Sequence, residues 1–385
     1  MSTPDHLKSK VKTAHRRPAI HNLVPALLSP AAVTLLVMLL VVAAVIAGEG
    51  GDPLALARLG TRFAEGDPLG TEGYDGQFIY YIALNPHPQA VAPFLDVPAY
   101  RYQRILLPLL ASLLSAGSER ALPWVLALLG ILSQAAGTWA VGRLLAGWGM
   151  SRWYALVYGL WAGFTLSLRL DLPEPLAFGL VAGAILAMQR SRPFLGWTLY
   201  SLALFAKEVT VLFIAAHIIS ELAQSRWRPA LGLCLATLLP YGLFQGWLWM
   251  VFGQPGIGSG GAMATPFEWI PYMGLVKIGG YSLVYFLAML IVFGPLVVWP
   301  SLWGIWISFK TLLAGDRNVI VLALLLNALA IAFLPFSTFR ETGGLIRFAC
   351  GLVLSVILFA GRYRYRRVLN YSTLWLVLNM FLIKS

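Results

Sequence analysis

Apolar residues in this chain come in long runs, with the polar residues gathered in short segments between them. The run "AAVTLLVMLLVVAAVIAG" (31–48) holds no charge. Wound as a helix rising ~1.5 Å per residue, it approaches the ~30 Å of a bilayer's hydrocarbon layer. The same pattern predicts spans near 31–47, 121–145, 153–168, 173–188, 194–206, 208–223, 229–251, 281–308, 318–335, 345–360 and 371–383. An open sheet would leave backbone groups unpaired in lipid, so helices are the expected element. The fold class is therefore all-α, a polytopic transmembrane helical bundle of about 11–12 spans.

Two stretches break the pattern. "EGYDGQFIYYIALNPHP" (72–88) and "PAYRYQRILLPLL" (98–110) are dense in Tyr, Asp, Gln, Arg and His, and neither is long enough to cross. Both fall in 49–120, which is expected to be a long outer first loop. A loop of that length is more often functional than idle. Its pieces "DGQFIYYIAL" and "YRYQRILLPLLASLL" read as short amphipathic helices on the membrane surface, where tyrosine offers an apolar body and a wet tip. The domain plan is then a basic cytoplasmic tail, 1–30, and one integral membrane domain, 31–385.

Composition sharpens this. Of 385 residues, 59% are hydrophobic and 11% charged. A soluble chain carries about 25% charged residues. Cys234 and Cys350 lie inside apolar runs and read as small buried hydrophobes. CxxC, HExxH and GxxxxGK[ST] are all missing, which argues against an ATP-driven pump. The first apolar run is too long for a signal peptide, and no clean small-x-small site follows it.

The net charge of +12 fits orientation better than nucleic-acid binding, because Lys and Arg stay on the cytoplasmic side. The N-terminal "HLKSKVKTAHRR", Arg143 with Arg152, "RSR" (190–192), "RWR" (226–228), Lys310 with Arg317, and "RYRYRR" (362–367) alternate correctly with the spans. The parity requires that 105–117, broken by Pro108, does not cross. On this map 17 of the 28 Lys and Arg, but only three of the 16 acids, fall inside. The N-terminus is then cytoplasmic, and the outward gathering of acids fits either their need for water or chemistry that faces outward.

Candidate chemistry follows from the polar clusters. Asp75, between Gly73 and Gly76, suits either a general base or a helix N-cap. Tyr74 and Gln77 flank it. In "YRYQR", Tyr100 leads Arg101 and Arg104, which share a helix face and suit a phosphate or an interfacial anchor. Asp171 and Glu174 sit on a Pro-bounded hairpin. Lys207 and Glu208 interrupt a long apolar stretch, where ionisable groups face a cavity or a partner. In "FRETGGLIRF", Arg340, Glu341 and Arg347 flank a glycine pair. His87, between prolines, reads as a turn residue, and no His/Asp/Glu spacing marks a metal site.

The blocks "YDGQFIYYIALNP", "PAYRYQRILLPLL", "DLPEPLA", "AKEVTVLF" and "RETGGLIRF" resemble the GT-C superfamily of membrane glycosyltransferases. The likeness is closest to a bacterial group linked to cell-surface glycopolymer formation, and its blocks run from Tyr74 to Phe348. It implies a GT-C-like fold and inverting transfer of a sugar from a polyprenyl phosphate to a glycan or lipid acceptor. Asp75 would be the catalytic acid of the first loop. Arg101, Arg104 and Arg340 would meet the lipid phosphate. Asp171, Glu174, Lys207 and Glu208 would line the cavity, with Tyr74, Gln77, Tyr100 and Glu341 against substrate. No cofactor is implied. Two departures stand out: no second acid adjoins Asp75, and no outer soluble domain is present. The alternatives are a transporter or flippase of a lipid-linked glycan, and a non-catalytic part of a glycopolymer assembly complex.

Overall fold

The computed structural model describes residues 29–382. The basic tail over 1–28 and the end of the C-terminal span at 383 lie outside the described residues. Every regular element among those described is helical. Five helices are long and apolar enough to cross a membrane: α1 (Pro30–Gly48), α5 (Leu122–Gly147), α10 (Trp227–Phe252), α11 (Leu283–Leu313) and α13 (Thr342–Arg362). Between α1 and α5 lie α2 (Gly76–Leu84), α3 (Pro98–Tyr102) and α4 (Leu106–Leu114). Between α5 and α10 come α6 (Ala162–Arg169), α7 (Glu174–Gln189), α8 (Pro193–Ala206) and α9 (Val211–Ala223). The helix α12 (Val319–Ala332) precedes α13.

Helix α7 packs between α5 and α8, and α12 packs against α9, α11 and α13. Helix α13 sits at the centre, with 78% of its apolar window buried. Helices α1 and α11 are peripheral, at 22% each. Their outward Leu36, Leu40, Val284 and Ile291 are exposed, as a lipid-facing surface requires.

Four of the expected spans form helices below the crossing length: α7, α8, α9 and α12 have 16, 14, 13 and 14 residues. The span expected over 153–168 is instead a 3-10 turn (Arg152–Tyr154), a one-turn helix (Ala155–Gly159) and α6. Its break falls at Trp161, whose backbone is extended and whose indole N–H donates to the Ile346 carbonyl at 2.9 Å. The span over 371–383 is largely 3-10, Thr373–Leu378. In α11 a π-turn at Gly294–Val298 absorbs Pro295, which has no N–H to give the helix. Helix α4 has nine residues and covers only ~14 Å.

The expectation of surface-lying amphipathic helices is overturned for α2. Gly76 to Ala83 are all buried, Tyr80 and Tyr81 included. The helix runs inside the protein because Gly76 lets it approach the loop before α7, where a Cβ would stand 2.1 Å from the Leu170 carbonyl oxygen. Gly73, at φ +66°, makes the turn that leads in.

Candidate functional site

The turn into α2 decides the role of Asp75. A capping aspartate has an extended backbone and bonds the amides of the first turn. Asp75 is already helical, at φ −53° and ψ −28°, and its side chain makes no capping bond. The carboxylate reaches two arginines instead. Oδ1 lies 2.9 Å from Arg101 Nη1 of α3. Oδ2 accepts from Arg347 Nη1 and Nη2 of α13, each at 3.1 Å. Burial opposes the charge on Asp75, but Arg101, Arg347 and Arg104 outweigh it and hold its carboxyl well below the usual range.

Each arginine has further partners. Arg101 grips Asp96 as a fork, Nε to Oδ1 at 2.7 Å and Nη2 to Oδ2 at 2.8 Å, and lies over the Phe78 ring. Asp96 also accepts from the amides of Val97 and Ala262. Arg347 lies over the Tyr74 ring, 5.3 Å from its centre, with Nε 3.9 Å from Glu174 Oε1. That same Oε1 accepts from Lys207 Nζ at 2.5 Å. Lys207 stands there because α8 ends at Ala206 and the Lys207 backbone is extended, which turns the side chain inward.

A second branch adjoins the first. Arg104 grips Glu208 with a fork, at 2.8 and 2.5 Å, and its Nη2 donates to the Tyr100 hydroxyl at 2.6 Å. The two branches together hold four acids, Asp75, Asp96, Glu174 and Glu208, and four bases, Arg101, Arg104, Lys207 and Arg347. Segments spread over nearly the whole chain thus supply one balanced cluster, as ionisable groups away from water require.

A cavity of about 880 Å³ adjoins it. Its wall is mainly apolar, with Val45, Leu166, Val292, Phe293, Ile346 and Leu378. Arg58, Arg169, Tyr74 and Glu341, with Thr71 and Thr342, are its polar lining. The Tyr74 hydroxyl donates to the Glu341 carboxylate. Burial pushes that hydroxyl up against the pull of Arg347, so it keeps its proton. Tyr74 joins cavity and cluster: it lines the cavity, and the Arg347 guanidinium lies over its ring.

Asp75, Tyr74, Tyr100, Arg101, Arg104, Glu174, Lys207, Glu208 and Glu341 are brought together. Three expected residues are not in the cluster. Gln77 is fully buried and ties backbone: Oε1 accepts from the Gly60 amide and Nε2 donates to the Glu72 carbonyl. Arg340 is exposed, its guanidinium 5.8 Å from the centre of the Phe336 ring. Asp171 is buried, left-handed at φ +49°, and its Oδ2 has no partner. Burial pushes the Asp171 carboxyl well up, with no nearby charge to oppose it. Asp96 was not among the candidate residues, and Arg347 was a candidate to which the resemblance gave no role. For Arg347 the signal was a cation inside an apolar helix; for Asp96 it was an acid five residues before Arg101.

Among the described residues no group of three or more His, Cys, Asp and Glu side chains is placed to hold a metal ion. No family model, curated protein or solved structure matches this chain.

Proposed function

We propose that this protein is a membrane glycosyltransferase that moves a sugar from a polyprenyl phosphate to a glycan or lipid acceptor at the outer face of a bacterial plasma membrane. One juxtaposition carries the reading: a carboxylate held between two arginines lies behind Tyr74, which lines an apolar cavity of about 880 Å³. The three parts of the reaction need those three things. A greasy donor chain needs an apolar wall, a departing phosphate needs fixed cations, and an acceptor hydroxyl needs a base.

The acceptor oxygen attacks the anomeric carbon from the face opposite the phosphate, and a new C–O bond forms with inversion. The anomeric carbon–phosphate oxygen bond breaks, and its electron pair stays on the phosphate. Arg101 and Arg347 stabilise the charge that develops there. The acceptor's proton passes to a carboxylate oxygen of Asp75. Arg347 takes the phosphate role that the resemblance gives to Arg340.

The test is sugar transfer by purified protein in lipid nanodiscs, offered a panel of polyprenyl-phosphate sugars. Turnover by the wild type that Asp75→Asn loses, with both folded, is expected. Binding of every donor without turnover would replace this reading with transport or assembly.

A further inference from the structure

Asp75, as the structure holds it, is poorly placed for a base. Both its oxygens are engaged by guanidiniums, and a carboxylate so held has little pull on a proton. The seat it fills is also the seat a phosphoryl oxygen pair would want, since arginine forks take carboxylate and phosphate alike.

The three members of this seat are not equally fixed. Arg101 is locked by its fork on Asp96, by the two amides that hold Asp96, and by the Phe78 ring beneath it. Arg347 is flanked by the Tyr74 ring and Glu174. Asp75 has no such second support. Among the described residues its carboxylate meets only the two arginines, it makes no capping bond, and its side chain is 26% exposed. Turning about the side-chain bonds frees it without moving α2.

We infer that the Asp75 carboxylate is a resident stand-in for a phosphoryl group: it occupies the anion seat between Arg101 and Arg347, and a phosphate-bearing ligand binds by exchanging places with it. The inference rests on the transferase reading and adds a coupling to it. Once phosphate holds the arginines, Asp75 is released from them and regains its basicity. The base is then strong only when donor is seated, and water is not activated in the unloaded protein.

The exchange predicts an unusual sign. Removing an acid from the site should tighten the binding of an anion. Farnesyl monophosphate and inorganic phosphate are the probes, titrated against protein in nanodiscs. Asp75→Asn is expected to bind at least about tenfold more tightly than wild type, while Arg101→Gln and Arg347→Gln weaken binding by a similar factor. A gain confined to farnesyl monophosphate identifies a lipid headgroup; a gain with both identifies the phosphoryl group alone. Unchanged or weaker binding of both probes by Asp75→Asn overturns the exchange.

The wild type gives a second readout should the variant fail to fold. A dialkyl phosphate diester keeps one charge over the range used. Its affinity should rise as pH falls below about 5, because the displaced Asp75 takes up a proton that the paired one refuses. The other acids facing the seat, Asp96, Glu174 and Glu208, keep their own cations. Glu341, joined to Tyr74, is removed in the control Glu341→Gln. A flat pH profile in that control overturns the exchange. Turnover by the wild type, together with unchanged phosphate affinity in Asp75→Asn, would sink the exchange and leave the transferase standing. Tightened binding without turnover on any donor would keep the exchange and remove the transferase.

Discussion

Arg347 and Asp75 lie 272 residues apart in sequence and meet through both terminal guanidinium nitrogens, each 3.1 Å from one carboxylate oxygen. The contact joins the start of a short buried helix to the most buried long helix of the bundle. It also moves the weight of the site from Arg340 to a residue seven positions on.

That shift is testable by a pair of alanines. Arg347→Ala leaves Asp75 with one cation and Glu174 with one fewer neighbour, and should cost about 3–5 kcal/mol of stability and all sugar transfer. Arg340→Ala should stay within about 0.5 kcal/mol and keep transfer. Chemical unfolding in mild detergent, run beside the activity assay, measures both; equal losses would reject the assignment.

Asp75→Asn should lower stability by about 3 kcal/mol at neutral pH. The carboxyl is depressed in the fold, so its contribution is present above the unfolded value of about 4 and fades as pH falls toward the folded one. The gap between wild type and variant should therefore be flat above about pH 5 and narrow below about pH 4. A gap that widens on acidification would contradict the pairing.

Lys207 and Glu174 are expected to couple strongly. Glu174 is fully buried, so Lys207→Met leaves it uncompensated apart from the more distant Arg347. The single change should cost about 3–5 kcal/mol, and adding Glu174→Gln should recover most of it. A double-mutant cycle that comes out additive would show that the pair contributes nothing of its own.

Asp171 carries the opposite sign. Its carboxyl is raised by burial, so the acid favours the folded state only below the unfolded value of about 4 and disfavours it as pH rises. Asp171→Asn should raise Tm at neutral pH and change little near pH ~4. A loss of transfer in this variant, with Tm raised, would return Asp171 to the site.

Gln77→Leu should act on folding alone. It orphans the buried Gly60 amide, at about 1–3 kcal/mol, and leaves the affinity of folded protein for a phosphate probe unchanged. Weaker binding by folded variant would give Gln77 a place against substrate.

Much of the site was legible because charge inside an apolar chain has few places to go. Lys207, Glu208 and Glu174 stood out on that ground, and the structure pairs each with an opposite charge. What the pattern could not supply was the pairing itself. Arg101 and Arg104 share a helix face on paper, yet one turns to Asp75 and Asp96 and the other to Glu208, a choice made by tertiary contacts. Tyr80 and Tyr81 misled for a related reason. A tyrosine-rich amphipathic segment suits a membrane surface and a protein interior equally well, and only the close approach of Gly76 to the Leu170 carbonyl decides between them. Span length failed where a side chain broke a helix, as at Trp161.

The long sequence separation of Asp75 and Arg347 also sets a timetable for biogenesis. A ribosome adds about 5–20 residues each second, so Asp75 is made on the order of 15–50 s before its partner 272 residues on. Arg101 is available early, only a short way along the chain, and Arg347 comes near the end of synthesis. Through that interval the nascent chain holds a half-built centre with an acid short of one cation. Insertion of α13 is the event that completes it, so truncation or stalling before residue 347 yields a chain whose helices are mostly in place and whose centre has not closed.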